Sequence, residues 1–244
     1  MGRAAGADID GYNRGLLLAT PGFYKDLDVY TPGWLVFVNR EGRRFIDETT
    51  EYAVMSGVIK EQLGGTVFAV FDEQARASAK LDPAHEAAYS EGFTFTWGPE
   101  KLNEQIQKGK VLKAQTLEEL ADLAGLQSST FVTTVERYNR DVAQNMDSLF
   151  FKECRVLKPI ATPPFYAAEI RPAIVCLTST GLRVDADMRV LDANDVPIPG
   201  LFAGGEVTGS VLGERYIGGG NSIANAIVFG RVAGESAAGA SKTR

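Results

Sequence analysis

The chain has 244 residues, 45% hydrophobic and 23% charged, with a formal net charge of −6. That balance belongs to a globular protein able to bury a sizeable core. It excludes a disordered chain and argues against the basic stripe of a nucleic-acid binder. No apolar run reaches the ~18 residues of a membrane span, and a single histidine, His85, excludes a histidine-cluster metal centre, so no metal is expected. The opening residues lack an apolar stretch, so no signal peptide is expected. Cys154 and Cys176 form no C-x-x-C pair and read as reduced thiols of a cytoplasmic protein. Trp34–Val38 (WLVFV) predicts a buried strand ending in a turn at Asn39–Gly42. Thr66–Phe71 predicts a second strand, with Asp72 as N-cap of a short helix. Residues 100–109 are polar and read as helical. Thr116 and Glu119 have the spacing of a capping box. Leu117, Leu120, Ala121 and Ala124 share a face of the helix that follows, and Gly125 ends it. Ser128 starts another helix, in which Phe131, Val135 and Tyr138 recur at helical spacing. Pro159, Pro163 and Pro164 break the chain before a strand near 165–170. Gly181–Asp185 and Arg189–Asp192 read as short strands joined by a turn, and Leu201–Ala203 as another strand. Asn221 and Ser222 open an apolar helix in which Ile223, Ile227 and Gly230 share a face expected to pack closely.

The segment 200–235 is the most informative. It runs from a strand through Gly204, Gly205 and Glu206 into a glycine-studded loop and a helix start. Glycines let a backbone approach a ligand. A helix N-terminus offers free N–H groups and partial positive charge to an anion or an electron-rich carbonyl. Glu206 is positioned to accept from a sugar hydroxyl. A glycine-rich surface loop followed by a helix cap accounts for the same pattern, and the residues alone leave both readings open.

The stretch GLFAGGEVTGSVLGERYIGGGNSIANAIVFGRVAGESAA closely resembles the C-terminal end of the fumarate reductase/succinate dehydrogenase flavoprotein superfamily, which includes 3-ketosteroid dehydrogenases. VNREGRRFIDE at 38–48, TLEELADLAGL at 116–126, TVERYN, PPFYAAEIRPA, GLRVD and PIPGLFAGGE follow in family order. The resemblance implies an α/β plus α+β fold. Residues 1–35 and 166–244 would belong to an FAD-binding domain, and 36–165 to an inserted substrate-capping domain. The family's G-x-G-x-x-G segment does not occur in these 244 residues. The chain therefore resembles a C-terminal half, with an N-terminal FAD-binding half as an expected partner. A fragment, a truncated frame and a split enzyme are all compatible with that.

The resemblance also implies site residues. Gly205, Glu206, Asn221, Ser222 and Ile223 match cofactor-binding positions. The glutamate would lie on the ribityl or ribose hydroxyls and the helix start at the flavin O2 edge. The fumarate reductase branch carries an arginine four residues after the glutamate matching Glu48; here the position holds Tyr52. Its substrate-gripping histidine is also absent, in the apolar run around Leu177. Arg215 is the one carry-over from that branch. The 3-ketosteroid dehydrogenase branch has a proton-removing tyrosine at the Tyr52 position. It also has a Y-x-x-x-G pair, matched by Tyr216 and Gly220, that holds the substrate carbonyl. Donors aimed at an oxygen that gains charge stabilise it. The expected activity is FAD-dependent oxidation or reduction of a CH–CH bond beside a carbonyl, on a steroid-like ketone. The alternatives are a fumarate reductase-like enzyme for unsaturated carboxylates, or a silent remnant or subunit of a split flavoprotein. Tyr52 is expected on the strand entering the cap, and Arg44 and Glu48 as fixtures of that strand.

Overall fold

The computed structural model describes residues 1–23, 31–83, 86, 95–213, 216 and 218–241. In chain order the elements begin with β1 (Ile9–Asp10), β2 (Gly15–Pro21), β3 (Val36–Val38), α1 (Tyr52–Glu61), β4 (Val67–Asp72) and α2 (Glu73–Ala77). They continue with α3 (Pro99–Gln107), β5 (Val111–Ala114), α4 (Leu117–Ala124), α5 (Ser128–Ala143) and β6 (Phe165–Thr178). Last come β7 (Gly181–Leu182), β8 (Arg189–Leu191), β9 (Pro197–Phe202) and α6 (Asn221–Ser241). The chain divides into two compact units, Leu18–Ile174, and Met1–Leu17 with Val175–Arg244. These divisions fall inside β2 and β6, whereas the boundaries expected from the sequence lie at 35/36 and 165/166.

The Leu18–Ile174 unit is built on a sheet in the order β2-β6-β4-β3, with β5 also paired to β6. β3 runs antiparallel to β4, and β4 antiparallel to β6. Successive residues of a strand point to opposite faces, and here both faces are covered. Phe37, Val67, Ala69, Phe71 and Ala168 join one core with Trp34, Trp97, Met55 and Ile59 of α1, and Leu102 of α3. Val36, Val38, Phe68, Val70 and Ala167 join a second core with Leu120 and Ala124 of α4, and Phe131, Val135 and Tyr138 of α5. Burial on both faces is why WLVFV and TVFAVF read as unbroken apolar runs rather than alternating ones.

The helix signals of this unit act as the residues dictate. Thr116 and Glu119 form a reciprocal capping box, and Gly125 closes α4 in the left-handed conformation. The Asp72 carboxylate accepts from Ala75 N–H at 2.8 Å and from Ala161 and Thr162 N–H at 3.0 and 2.9 Å. It thereby caps α2 and pins the segment leading into β6.

The other unit is lighter. β1 pairs antiparallel with β7, and β8 with β9. The expected turn between the segments at 181–185 and 189–192 is present: Met188 N–H donates to the Asp185 carbonyl at 3.0 Å, and the flanking residues pair through Asp185 N–H to Arg189 carbonyl at 3.1 Å and Leu191 N–H to Arg183 carbonyl at 2.9 Å. An antiparallel bridge joins Val184 to Val190, while Gly181 and Leu182 of β7 pair with β1. The small core gathers Ala7, Val190 and Ala203, with Leu182, Val184, Ile198 and Leu201 half-buried against it. The apolar face foreseen on α6 is corrected: Ile223 and Ile227 are 67% and 68% exposed. α6 instead approaches the Gly204–Gly205 turn through the backbone of Ala226, Phe229 and Gly230. Among the described residues no helix is long and apolar enough to cross a membrane.

Candidate functional site

The turn after β9 and the start of α6 frame a narrow cleft. Its lining includes Thr178, Ser179, Glu206, Thr208, Ser222 and Asn225. The turn is fixed by Thr208, whose N–H and hydroxyl both donate to the Gly205 carbonyl, at 3.0 and 2.6 Å. It can lie against α6 only because residue 204 has no side chain. A Cβ there would meet the Phe229 carbonyl oxygen at 2.7 Å and Gly230 N at 2.9 Å. Gly205 is buried beneath the turn, and the Glu206 side chain is exposed at the cleft.

The helix opens on Gly220, whose carbonyl accepts the first helical bond, from Ala224 N–H at 2.9 Å. The N–H groups of Asn221, Ser222 and Ile223 stand in the turn for which a helix offers no acceptors, at its positive end. The Asn221 amide donates to the Gly218 carbonyl at 2.9 Å, shaping the approach. Tyr216 is buried, and the Ser222 hydroxyl donates to its phenolic oxygen at 3.4 Å.

Two further groups belong to this cleft and were not foreseen. The Ser179 hydroxyl and the Asn225 carbonyl oxygen are buried without a hydrogen-bond partner among the described residues. An unsatisfied buried polar atom costs about 1–3 kcal/mol, so each of these two atoms at the cleft has hydrogen-bonding capacity to offer a polar partner. Asn225 had a legible signal, as a lone amide inside the apolar run IANAIVF. Ser179 had none, since it is one hydroxyl in the run Thr178-Ser179-Thr180.

Of the residues singled out in the sequence, Glu206 and Ser222 line the cleft together, with Gly205 and Asn221 beside them in the turn and helix start. Ile223 is exposed and is not among the residues that line the cleft. Tyr216 and Gly220 belong to the same compact unit, and Tyr52 to the other. Tyr52 is not on a strand. It is the first residue of α1, because the Glu51 carboxylate accepts from Ala53 N–H at 2.8 Å and starts a helix there. Arg215 lies outside the described residues.

A second polar centre lies wholly in the Leu18–Ile174 unit. The Arg44 guanidinium donates to both oxygens of Glu48, at 3.0 and 2.9 Å, and both of Asp147, at 3.0 and 2.9 Å. Lys152 Nζ donates to Glu48 at 2.9 Å and to the Leu35 carbonyl at 2.7 Å. Glu48 also accepts Phe37 N–H at 2.9 Å. Two cations and two carboxylates thus balance in the interior and occupy the outer edge of β3. Burial alone would raise the Glu48 carboxyl, but Lys152 and Arg44 outweigh it and hold it below the ordinary carboxylate range. This centre is enclosed and satisfied, which marks it as architecture. Arg44 and Glu48 were legible as a strand fixture; their partners Asp147 and Lys152, a hundred residues on, had no local signal.

A family model for the FAD binding domain matches residues 18–223. The chain is 35% identical over 203 residues to a probable fumarate reductase of Shewanella frigidimarina, over 83% of this chain and 31% of that protein. It is 31% identical over 230 residues to a 3-oxosteroid 1-dehydrogenase of Mycolicibacterium smegmatis, over 83% of this chain and 38% of that protein. Among solved structures, a 3-ketosteroid delta1-dehydrogenase from Sterolibacterium denitrificans matches with a TM-score of 0.72 and 25% identity. That match covers 98% of this chain and 46% of the other. The mixed α/β chain therefore matches part of a flavoprotein dehydrogenase, and it spans less than half the length of each of these relatives.

Proposed function

The chain belongs to the FAD binding domain family, and from that membership we propose that it forms part of an FAD-dependent oxidoreductase acting on a CH–CH bond beside a carbonyl, as 3-ketosteroid dehydrogenases do. In this reading residues 1–35 and 166–244 belong to the FAD-binding domain and 36–165 cap the substrate. The residues at the cleft fit the cofactor. Glu206 accepts from hydroxyls, and the unpaired Ser179 hydroxyl and Asn225 carbonyl want polar partners. The N-terminus of α6 favours a carbonyl edge that gains negative charge. Bound FAD would supply the two-electron acceptor. The remaining work falls to this chain: the Tyr216 phenol and the Gly220 N–H hold the substrate carbonyl oxygen, and Tyr52 removes a proton from the neighbouring carbon. The observation that carries the reading is the buried Tyr216 phenol paired with Ser222 at the mouth of α6. There a hydroxyl donor and the helix N-terminus converge.

A second reading, reduction of an unsaturated carboxylate, is favoured by the 35% identity to a probable fumarate reductase; Arg215 would then take the acid. FAD-loaded enzyme assayed with a 3-ketosteroid and with fumarate separates the two. Loss of an oxyanion donor typically costs about 10²–10³ in turnover. Tyr216→Phe should therefore lower kcat by that much on the ketosteroid with little change in KM, and Tyr52→Phe at least as much, both with unchanged flavin absorbance. Near-normal turnover of both variants would remove the ketosteroid reading. These 244 residues hold no G-x-G-x-x-G to cradle the pyrophosphate. Taken alone they should bind FAD weakly, and tight stoichiometric binding in an absorbance titration would count against the domain assignment.

A further inference from the structure

A cleft of about 510 Å³ opens in the Leu18–Ile174 unit, with Arg44 of the ion quartet in its wall and none of Tyr52, Tyr216 or Gly220 in its lining. It lies between the segment following β3, the first turns of α5 and the loop after α5. Its construction is tight on one side. The Asn39–Gly42 turn abuts α5 so closely that a Cβ on Gly42 would meet Phe131 N at 2.7 Å. Arg43 lines the cleft with Thr130, Thr133, Thr134 and Arg137 of α5; the Thr130 hydroxyl donates to the Gln127 side-chain oxygen and the Thr133 hydroxyl to the Ser129 carbonyl, each at 2.9 Å. Phe150 and Leu149 supply an apolar wall. The Arg44 guanidinium, which also lines the cleft, lies 5.1 Å from the Phe150 ring centre.

The charges are unbalanced. Arg44 is neutralised by Glu48 and Asp147. Arg43 has its nearest carboxylate, Glu41, at 3.8 Å, beyond hydrogen-bond length, and both side chains are exposed. Among the described residues Arg137 makes no ion pair; it donates to the Ser148 hydroxyl at 3.3 Å. Ser148 is itself held by Asp141 at 2.6 Å. No carboxylate lines the cleft among the described residues. Two guanidiniums at one cleft suit an oxyanion, since a guanidinium pairs with carboxylate or phosphate through two parallel bonds. The aromatic and aliphatic wall suits a flat apolar body, and the volume falls in the range of small-molecule sites, roughly 300–1,000 Å³.

We propose that this cleft is a second small-molecule site, taking an organic oxyanion whose apolar body lies against Phe150 and Leu149 while Arg43, Arg137 and the Thr134 hydroxyl hold its charge. The test is titration of the whole chain with phenyl phosphate, benzoate and inorganic phosphate, followed by amide NMR shifts. Phenyl phosphate or benzoate should bind saturably, shift residues 129–137 and 149–150, and bind more tightly than inorganic phosphate. The two aromatic probes separate a phosphate from a carboxylate ligand. The double variant Arg43→Gln, Arg137→Gln should weaken binding by about tenfold or more, with an unchanged amide spectrum elsewhere. The single variant Arg137→Gln should fall between. The proposal is overturned if no probe saturates, if the shifts map to other residues, if the double variant binds as tightly as wild type, or if inorganic phosphate binds as tightly as phenyl phosphate.

Discussion

Glu48 shows how one residue can hold an edge that strand pairing leaves open. β3 ends its sheet, and an exposed row of unpaired backbone groups is a hazard for association. Glu48 takes the Phe37 N–H and Lys152 covers the Leu35 carbonyl, while Arg44 and Asp147 close the charge balance. Removing one partner of a buried pair leaves an uncompensated charge and typically costs about 3–5 kcal/mol. Lys152→Met should lower stability by that order in chemical denaturation, and a loss below about 1 kcal/mol would show the pair to be dispensable. The pH dependence follows from the direction of the shift. Glu48 and Asp147 both lie below their ordinary values when folded: burial opposes this in each case, and the adjacent cations overcome it. Such groups add stability above the ordinary carboxylate range, and that contribution is lost as pH falls through the folded values. Melting temperature should therefore drop on acidification below about pH 4, and Glu48→Gln should start lower but fall less steeply. Parallel curves for variant and wild type would contradict the linkage.

The elements differ in how far they could be read from the chain. α4 was legible in full, because Thr116, Glu119 and Gly125 are local chemistry acting on adjacent backbone. β3 and β4 were legible as buried strands, but not which faces they cover, since an apolar run carries no alternation when both faces are packed. α1 was hidden. Its start depends on the Glu51 carboxylate capping Ala53, and its exposed Val54 blurs the apolar face. In α6 the period was right and the face wrong. Ile223 and Ile227 carry the apolarity, but a glycine turn, not side-chain bulk, decides where the helix meets β9. The candidate site followed the same division. Glu206, Ser222 and Tyr216 came from a matched motif, whereas Ser179 reaches the cleft only through long-range folding. Gly204 is the element-level test. Gly204→Ala drives a methyl into the backbone of α6 at 2.7–2.9 Å, and neither side is a flexible chain end. Overpacking of this kind costs about 1–3 kcal/mol, so the variant should melt earlier and shift the amide signals of Gly205, Glu206 and residues 221–230. An unperturbed spectrum there would show that the turn has room to move.

Across the whole molecule the cohesion is uneven. Among the described residues, every one of the largest fully buried side chains, Trp97, Tyr138, Phe37, Phe71 and Phe131 among them, lies in Leu18–Ile174. Among the described residues the other unit buries Ala7, Leu16, Met188, Val190, Ala203 and Tyr216, and only Ala7, Val190 and Ala203 form a cluster, under partly covered neighbours. It also exposes Ile223, Ile227, Val228 and Val207. Buried apolar area contributes about 25 cal/mol per Å², so the second unit has far less to set against its chain entropy. Regions with few buried apolar contacts open at lower free energy. Hydrogen exchange should accordingly be fast in 181–202 and 221–241 and slow in β4, β5 and the first half of β6. A denaturant ramp should show an early step in the first region and a later one in the second. Uniform protection with a single coincident transition would refute the asymmetry. The same measurement bears on the cleft, because a ligand that binds only the folded form stabilises it by about 2.7 kcal/mol at a hundredfold excess over Kd. FAD at high concentration should slow exchange at 203–210 and 221–226 and leave β4 unchanged. Protection that rises in β4 instead would move the flavin site away from Glu206 and the start of α6.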